Sequence, residues 1–316
     1  MLGSPRAVAV ALTLVLAVAA CTGATTTPSP SVPASTAATS APSALGTPPA
    51  SATPDACARA NLKTLTAGKL TIGTDNPAYG PWFAGPAPAK SSTWQNADPN
   101  NGAGLEAATA YAIADKLGFA KADVVWVVVP FNNVIQPGPK SFDLDLNQVS
   151  WNPQRAQQVD LSDGYFDDNQ AVVGLKANGI ARVTTVSGLA SLRLGTQVGT
   201  TSYVYITDNI RPSTKPSVYS SMDAAIAALK AKQIDGVVAD LGTSFFMRDV
   251  QLSDGVIVGR LPTVGEQERF AAVLNLGSPL TPCVNQAIAA LKADGTLEQI
   301  RQKWIVSTEG DVPELK

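Results

Sequence analysis

Strand-like and helix-like stretches alternate along the middle of this chain, and that alternation restricts its fold more than any other feature. From Lys69 to Asp75 the sequence reads as a buried strand ending in polar residues. Gly104, Leu105 and Glu106 then open a helix with apolar residues at helical spacing, and Gly118 closes it. Val124 to Val129 is a β-branched run that suits a central parallel strand, and a further helix starts at Phe131. Strands joined through helices belong in one parallel-rich sheet covered on both faces. The expectation is therefore an α/β fold, with any ligand lying beyond the carboxyl ends of the strands.

The chain has 316 residues, but the sequence assigns fewer to the folded part. Residues 7–20 form an apolar run behind Arg6, too short to span a bilayer and of signal-peptide length. Val18, Ala19 and Ala20 then lead into Cys21, small residues before a cysteine, which resembles the lipobox of bacterial lipoproteins. We expect residues 1–21 to be a leader and Cys21 to carry lipid, the protein's only attachment to the membrane. Residues 22–60 are dominated by Ala, Ser, Thr, Pro and Gly; they lack the apolar bulk that offsets ordering entropy and are read as a disordered tether. The ~260 residues that remain suffice for two lobes of ordinary domain size.

Composition excludes several functions. Net charge is −2 with no basic cluster, so no nucleic-acid partner is expected. The chain has no histidine, which removes Ser-His-Asp, Cys-His and His-zinc chemistry. There is no C-x-x-C, P-loop or dinucleotide fingerprint, so neither metal nor cofactor is expected, and no catalytic residue is assigned. Setting aside Cys21, the other two of the three cysteines form an even pair in an exported chain, predicting a Cys57–Cys283 disulfide.

The stretch from Phe142 to Phe166 organises the rest. An alternating strand leads to Asn147, Gln148 and Ser150, then to Pro153, which opens a helical turn, and to Arg155, whose planar fork suits a carboxylate. Val159, Asp160, Leu161, Ser162 and Tyr165 follow. This order, with an arginine five residues past a hydroxyl, resembles the family 3 extracellular solute-binding proteins, the amino-acid receptors of ABC importers. Further matches are Thr74 and Asp75 followed by Tyr79, Gly199 to Thr201 before a helix, Asp240 at a strand end, and the terminal Asp294, Gly295, Thr296 and Trp304.

The resemblance implies a two-lobed fold of the periplasmic-binding-protein type II, with a ligand cleft between lobes joined by two crossing strands. On that reading residues 61–173 and 272–316 form lobe 1, and residues 174–271 form lobe 2. It gives Arg155 the α-carboxylate of an amino acid and Asp240 its ammonium group. Thr200 and Thr201 add donors at a helix start, although Ser and Thr cap helices everywhere. Asp75 and Tyr79 become pocket residues of the first lobe with Trp82 and Phe83 as walls, the alternative being that the two aromatics plug the core. Asn147 and Gln148 stand where the family often has small hydroxyls; they suggest a polar ligand side chain such as glutamine, asparagine or glutamate. Glu106 resembles the family's acidic position at the cleft edge, but an acid favoured by a helix N-terminus explains it equally well. The implied protein is a monomer outside the bacterial cell membrane that hands its amino acid to an ABC permease. An enzyme of the same fold, of the cyclohexadienyl dehydratase kind with Glu106 or Asp75 as acid, and an amino-acid sensor domain are the alternatives.

Overall fold

The structure, a computed structural model, describes residues 56–306 and 312–316. The leader and the lipidation expected at Cys21 lie outside the described residues, as does most of the tether. Among the described residues no helix is long and apolar enough to cross a membrane.

Among the described residues ten strands form two five-stranded sheets. In chain order they are β1 (Leu70–Thr74), β2 (Val124–Val128), β3 (Leu144–Asp145), β4 (Asp160–Asp167), β5 (Gln170–Leu175), β6 (Leu194–Gln197), β7 (Ser217–Tyr219), β8 (Gly236–Asp240), β9 (Gly255–Arg260) and β10 (Arg269–Leu274). The first sheet has the order β2-β1-β3-β10-β4 and the second β7-β6-β8-β5-β9. In each, three parallel strands meet an antiparallel one, β10 in the first and β5 in the second. The helices are α1 (Leu105–Lys116), α2 (Phe131–Val134), α3 (Thr201–Tyr205), α4 (Met222–Lys230), α5 (Leu241–Phe246), α6 (Thr281–Ala293) and α7 (Thr296–Arg301).

Both faces of the second sheet are covered, and alternation along its strands divides the core. Ala171, Val173, Val237 and Ala239 face one apolar cluster, while Val172 and Val238 face another. A strand buried on both sides must be apolar throughout, which is why these segments read as continuous apolar runs. In the first lobe, Leu70, Ile72, Leu144 and Leu146 pack with α1 and α6, whereas Val129, Val149 and Val273 build the smaller cluster behind them.

The expected boundaries shift. All of β5 pairs with β8 and β9, Gln170 facing Asp240, so the first crossing is residues 168–169 and not the segment up to 173. All of β10 pairs in the first sheet, making residues 261–268 the return crossing. The last residues also change side. Glu314 bridges to Arg260, and Leu315 is buried in the second-lobe core, so 272–316 is not wholly lobe 1. The fold also begins before residue 61: Arg59 donates to the carbonyls of Gly118 and Gly68 and pairs with Asp123. Cys57 is bonded to Cys283 with 5.3 Å between Cα atoms, as the cysteine count predicts.

Candidate functional site

The parallel strands of both sheets deliver their carboxyl ends to one cleft, and local sequence sets each side chain there. After β1 the chain turns through residues 76–81 and presents Tyr79. After β3, Gln148 takes a left-handed backbone (φ 49°), and its N–H is held by Glu106 Oε1 at 2.7 Å. Asn152 Oδ1 then accepts from Arg155 N at 2.8 Å, fixing the backbone where the short turn that carries the buried Arg155 begins. From the second lobe, Thr200 caps α3, accepting from Tyr203 N and donating to Gln197 O. Asp240 caps α5, its Oδ1 accepting from Thr243 N at 2.7 Å.

These residues line a cleft whose enclosed space is about 50 Å³. Of the predicted site residues, Tyr79, Asn147, Gln148, Ser150, Arg155, Thr200, Thr201 and Asp240 line it. Asp75 and Trp82 do not. The Asp75 carboxylate accepts from Asn76 N at 2.7 Å and Phe131 N at 3.3 Å, fixing its own loop to the start of α2. Trp82 is fully buried against Phe166 and Phe270, and its indole N–H donates to Thr243 Oγ1 at 3.0 Å across the cleft. It packs lobe on lobe and forms no pocket wall. Trp94, in the long loop before α1, belongs to the first-lobe core.

Arg155 is the cavity's cation. Its Nη1 donates to Ser150 O at 2.5 Å, its Nη2 to Gly199 O across the cleft at 2.8 Å, and it stands 5.8 Å from the centre of the Phe131 ring. Burial pushes its pKa down to about 10 against the opposing pull of Glu268, so it stays charged at neutral pH. Burial pushes the Asp240 carboxyl up to about 6, with bonds from Thr243 resisting and the Glu268 charge adding to the rise. Glu106 is pushed up to about 7 by burial, although Tyr165 Oη donates to it at 2.5 Å and Gln148 donates both its N–H and its side-chain amide. Fully buried and outside the cavity lining, Glu106 is a structural acid that sets Gln148.

Sequence reasoning missed Phe131, Gln170, Thr243 and Phe270, which also line the cavity. It also missed Glu268, whose carboxylate accepts from Ser150 Oγ (2.5 Å), Thr201 Oγ1 (2.6 Å) and Gln170 Nε2 (2.8 Å). Thr243 was legible as the third residue after a helix-capping aspartate. Nothing local marks Glu268, because its three partners lie 67 to 118 residues away.

The profile of the bacterial extracellular solute-binding proteins, family 3, matches residues 89–307. The chain belongs to this family. This solute-binding protein is 28% identical over 172 residues to ABC transporter arginine-binding protein 1 of Escherichia coli (strain K12), covering 52% of this chain and 67% of that one. It is 25% identical over 215 residues to the arginine-binding extracellular protein ArtP of Bacillus subtilis (strain 168), covering 65% and 78%. A solved structure of an ancestral arginine-binding protein bound to arginine aligns with a TM-score of 0.58 at 26% identity, over 75% of this chain and 98% of that one. The two sheets and their two crossings make the solute-binding protein a two-lobed, type II periplasmic-binding-protein fold. The names of the family and of these relatives are those of binding proteins for transport, not of enzymes.

Proposed function

We propose that this solute-binding protein captures an α-amino acid between its lobes and delivers it to an ABC import permease. One observation carries the reading: Arg155, from the first lobe, and Asp240, from the second, line the same cavity. A zwitterion needs a cation for its carboxylate and an anion for its ammonium, since either charge is costly to bury alone. Tyr79, Asn147, Gln148, Ser150, Thr200 and Thr201 complete the set of ligand-binding residues. The two charges sit on different lobes, so the ligand is fully paired only when the lobes close on it, and binding stabilises the closed form.

The charges in the cleft bear on the ligand's side chain. Asp240, which lines the cavity, and Glu268, which lies behind the lining hydroxyls of Ser150 and Thr201, outnumber Arg155, so a zwitterion with a neutral or acidic side chain leaves negative charge uncompensated. A basic side chain offsets it. The relatives named for arginine support the same choice, ahead of the glutamine, asparagine or glutamate that Asn147 and Gln148 suggest in the sequence. In this reading the protein works as a monomer outside the cell, held to the membrane by lipid on Cys21.

A thermal-shift screen against the amino acids tests the reading, because a tight ligand raises the melting temperature by mass action. Calorimetry on the ligand found should give an Arg155→Ala variant weaker by roughly 2–5 kcal/mol, the cost of leaving a buried carboxylate without its partner. A loss smaller than about fivefold, under ~1 kcal/mol, takes Arg155 out of the site.

A further inference from the structure

Glu268 stands at the end of the return crossing, and its backbone is fixed there: its carbonyl accepts from Asp168 N of the other crossing at 3.0 Å. Its side chain does not line the cavity but reaches Ser150, Thr201 and Gln170, which do. Its carboxylate joins Ser150 of the first lobe to Thr201 and Gln170 of the second. The two hydroxyls lie 3.3 Å from each other, beside the residue whose carbonyl Arg155 holds. They are the donors on which an α-carboxylate gripped by Arg155 would draw. A hydroxyl has one proton to give, so two carboxylates cannot both receive it.

We propose that Glu268 is a tethered carboxylate that occupies the hydroxyl donors of the ligand's carboxylate half-site and cross-links the two lobes until an incoming amino acid takes those donors over. The proposal rests on the amino-acid reading of the cleft. Its geometry explains why displacement is favourable. Glu268 takes the hydroxyls without the guanidinium, whose bonds go to the carbonyls of Ser150 and Gly199. A ligand carboxylate at the same donors gains a charge-assisted bond to Arg155 that Glu268 lacks. The tether therefore closes the cleft weakly and sets a threshold: ligand must compete with a carboxylate that is always present at high effective concentration.

Small-angle scattering on ligand-stripped protein reads the lobes without needing to know the ligand. The wild type should be compact, with Glu268→Ala at a larger radius of gyration and Glu268→Gln between them. Thr201→Val removes one donor from the other side at similar volume and should also open the cleft, which guards against misfolding of a Glu268 variant. A wild type as open as the variants, or variants as compact as the wild type, overturns the tether and leaves amino-acid capture standing. Calorimetry then compares the amino acid with its decarboxylated amine. Glu268→Gln should raise the preference for the amino acid by at least about threefold, because only the amino acid competes with Glu268. An unchanged preference overturns the proposal. Failure of the underlying reading appears separately, as a wild type that binds no amino acid, and removes both.

Discussion

An aspartate that caps a helix and also faces an ammonium group must be ionised to do the second task. Asp240 is held near 6 by burial, so it is half protonated in mildly acid solution. Pairing with an ammonium favours the carboxylate, and binding must then expel a proton. The sign follows: affinity is full above about pH 7 and falls by up to about tenfold per unit as pH drops below 6. Calorimetry at pH 5, 6 and 7.5, in buffers of different ionisation enthalpy, reads both the affinity and the released proton. Asp240→Asn keeps a capping side chain, so it should fold, flatten that pH profile, and weaken the amino acid more than its deaminated analogue. Equal losses for the two ligands would place Asp240 away from the ammonium.

At the level of elements, the two lobes meet through the first turn of α5. A Cβ at Gly242 would overlap the Trp82 ring, so only glycine lets the ring lie on that turn while its N–H reaches Thr243. Tyr79 adds to this contact, its hydroxyl 3.3 Å from Thr243 Oγ1 and its ring stacked 4.8 Å from Phe246. Gly242→Ala should therefore hold the closed lobes apart, at a cost of about 1–3 kcal/mol for overpacking, and weaken ligand binding with little effect on the open form. Unchanged affinity would mean the lobes close some other way. This contact also marks where the sequence stops being legible. Strand ends carry their own signature, polar residues after apolar runs, while the resemblance to the solute-binding family singled out Ser150, Arg155, Thr201 and Asp240, and all four line one cavity. An aromatic after a turn looks the same whether it walls a pocket or packs one lobe on the other, so Trp82 could be assigned either way. Asp75 was misread for a related reason: an acid at a strand end serves its own loop as readily as a ligand. Lobe boundaries slipped because β5 and β10 are apolar after their first residues, Gln170 and Arg269, and a buried strand does not say which sheet it joins.

Taken whole, the molecule carries two stability terms that can be separated. The Cys57–Cys283 bond ties the segment before β1 to α6 across a sequence separation of 226. Chain-entropy arguments give such a closure about 3–5 kcal/mol. Urea unfolding of the wild type and of Cys57→Ser/Cys283→Ser should differ by that amount, and coincident curves would show the bond to be idle. The second term is a set of carboxyls that burial pushes upward: Glu106 to about 7, Asp240 to about 6, and Asp145 and Asp168 well above the usual range. Asp145 is the clearest case, fully buried with no hydrogen-bond partner on either oxygen among the described residues, and with Glu106 and Asp75 adding negative charge. Between about pH 4 and 7 the unfolded chain has released these protons while the folded protein still holds them. The unfolded state then binds fewer protons, so stability falls as pH rises through that window. The exposed pairs Asp294–Lys116 and Glu298–Arg301 act in the opposite sense, but their carboxyls are held near 2, so their effect is confined to below about pH 4.5. Ligand-stripped protein should therefore melt at a higher temperature at pH 5 than at pH 7.5. Asp145→Asn keeps the shape without a charge to bury, so it should melt higher than the wild type at pH 7.5 and reduce the difference between the two pH values. A variant that is less stable than the wild type at pH 7.5 would mean that Asp145 is ionised in the fold and held by a cation.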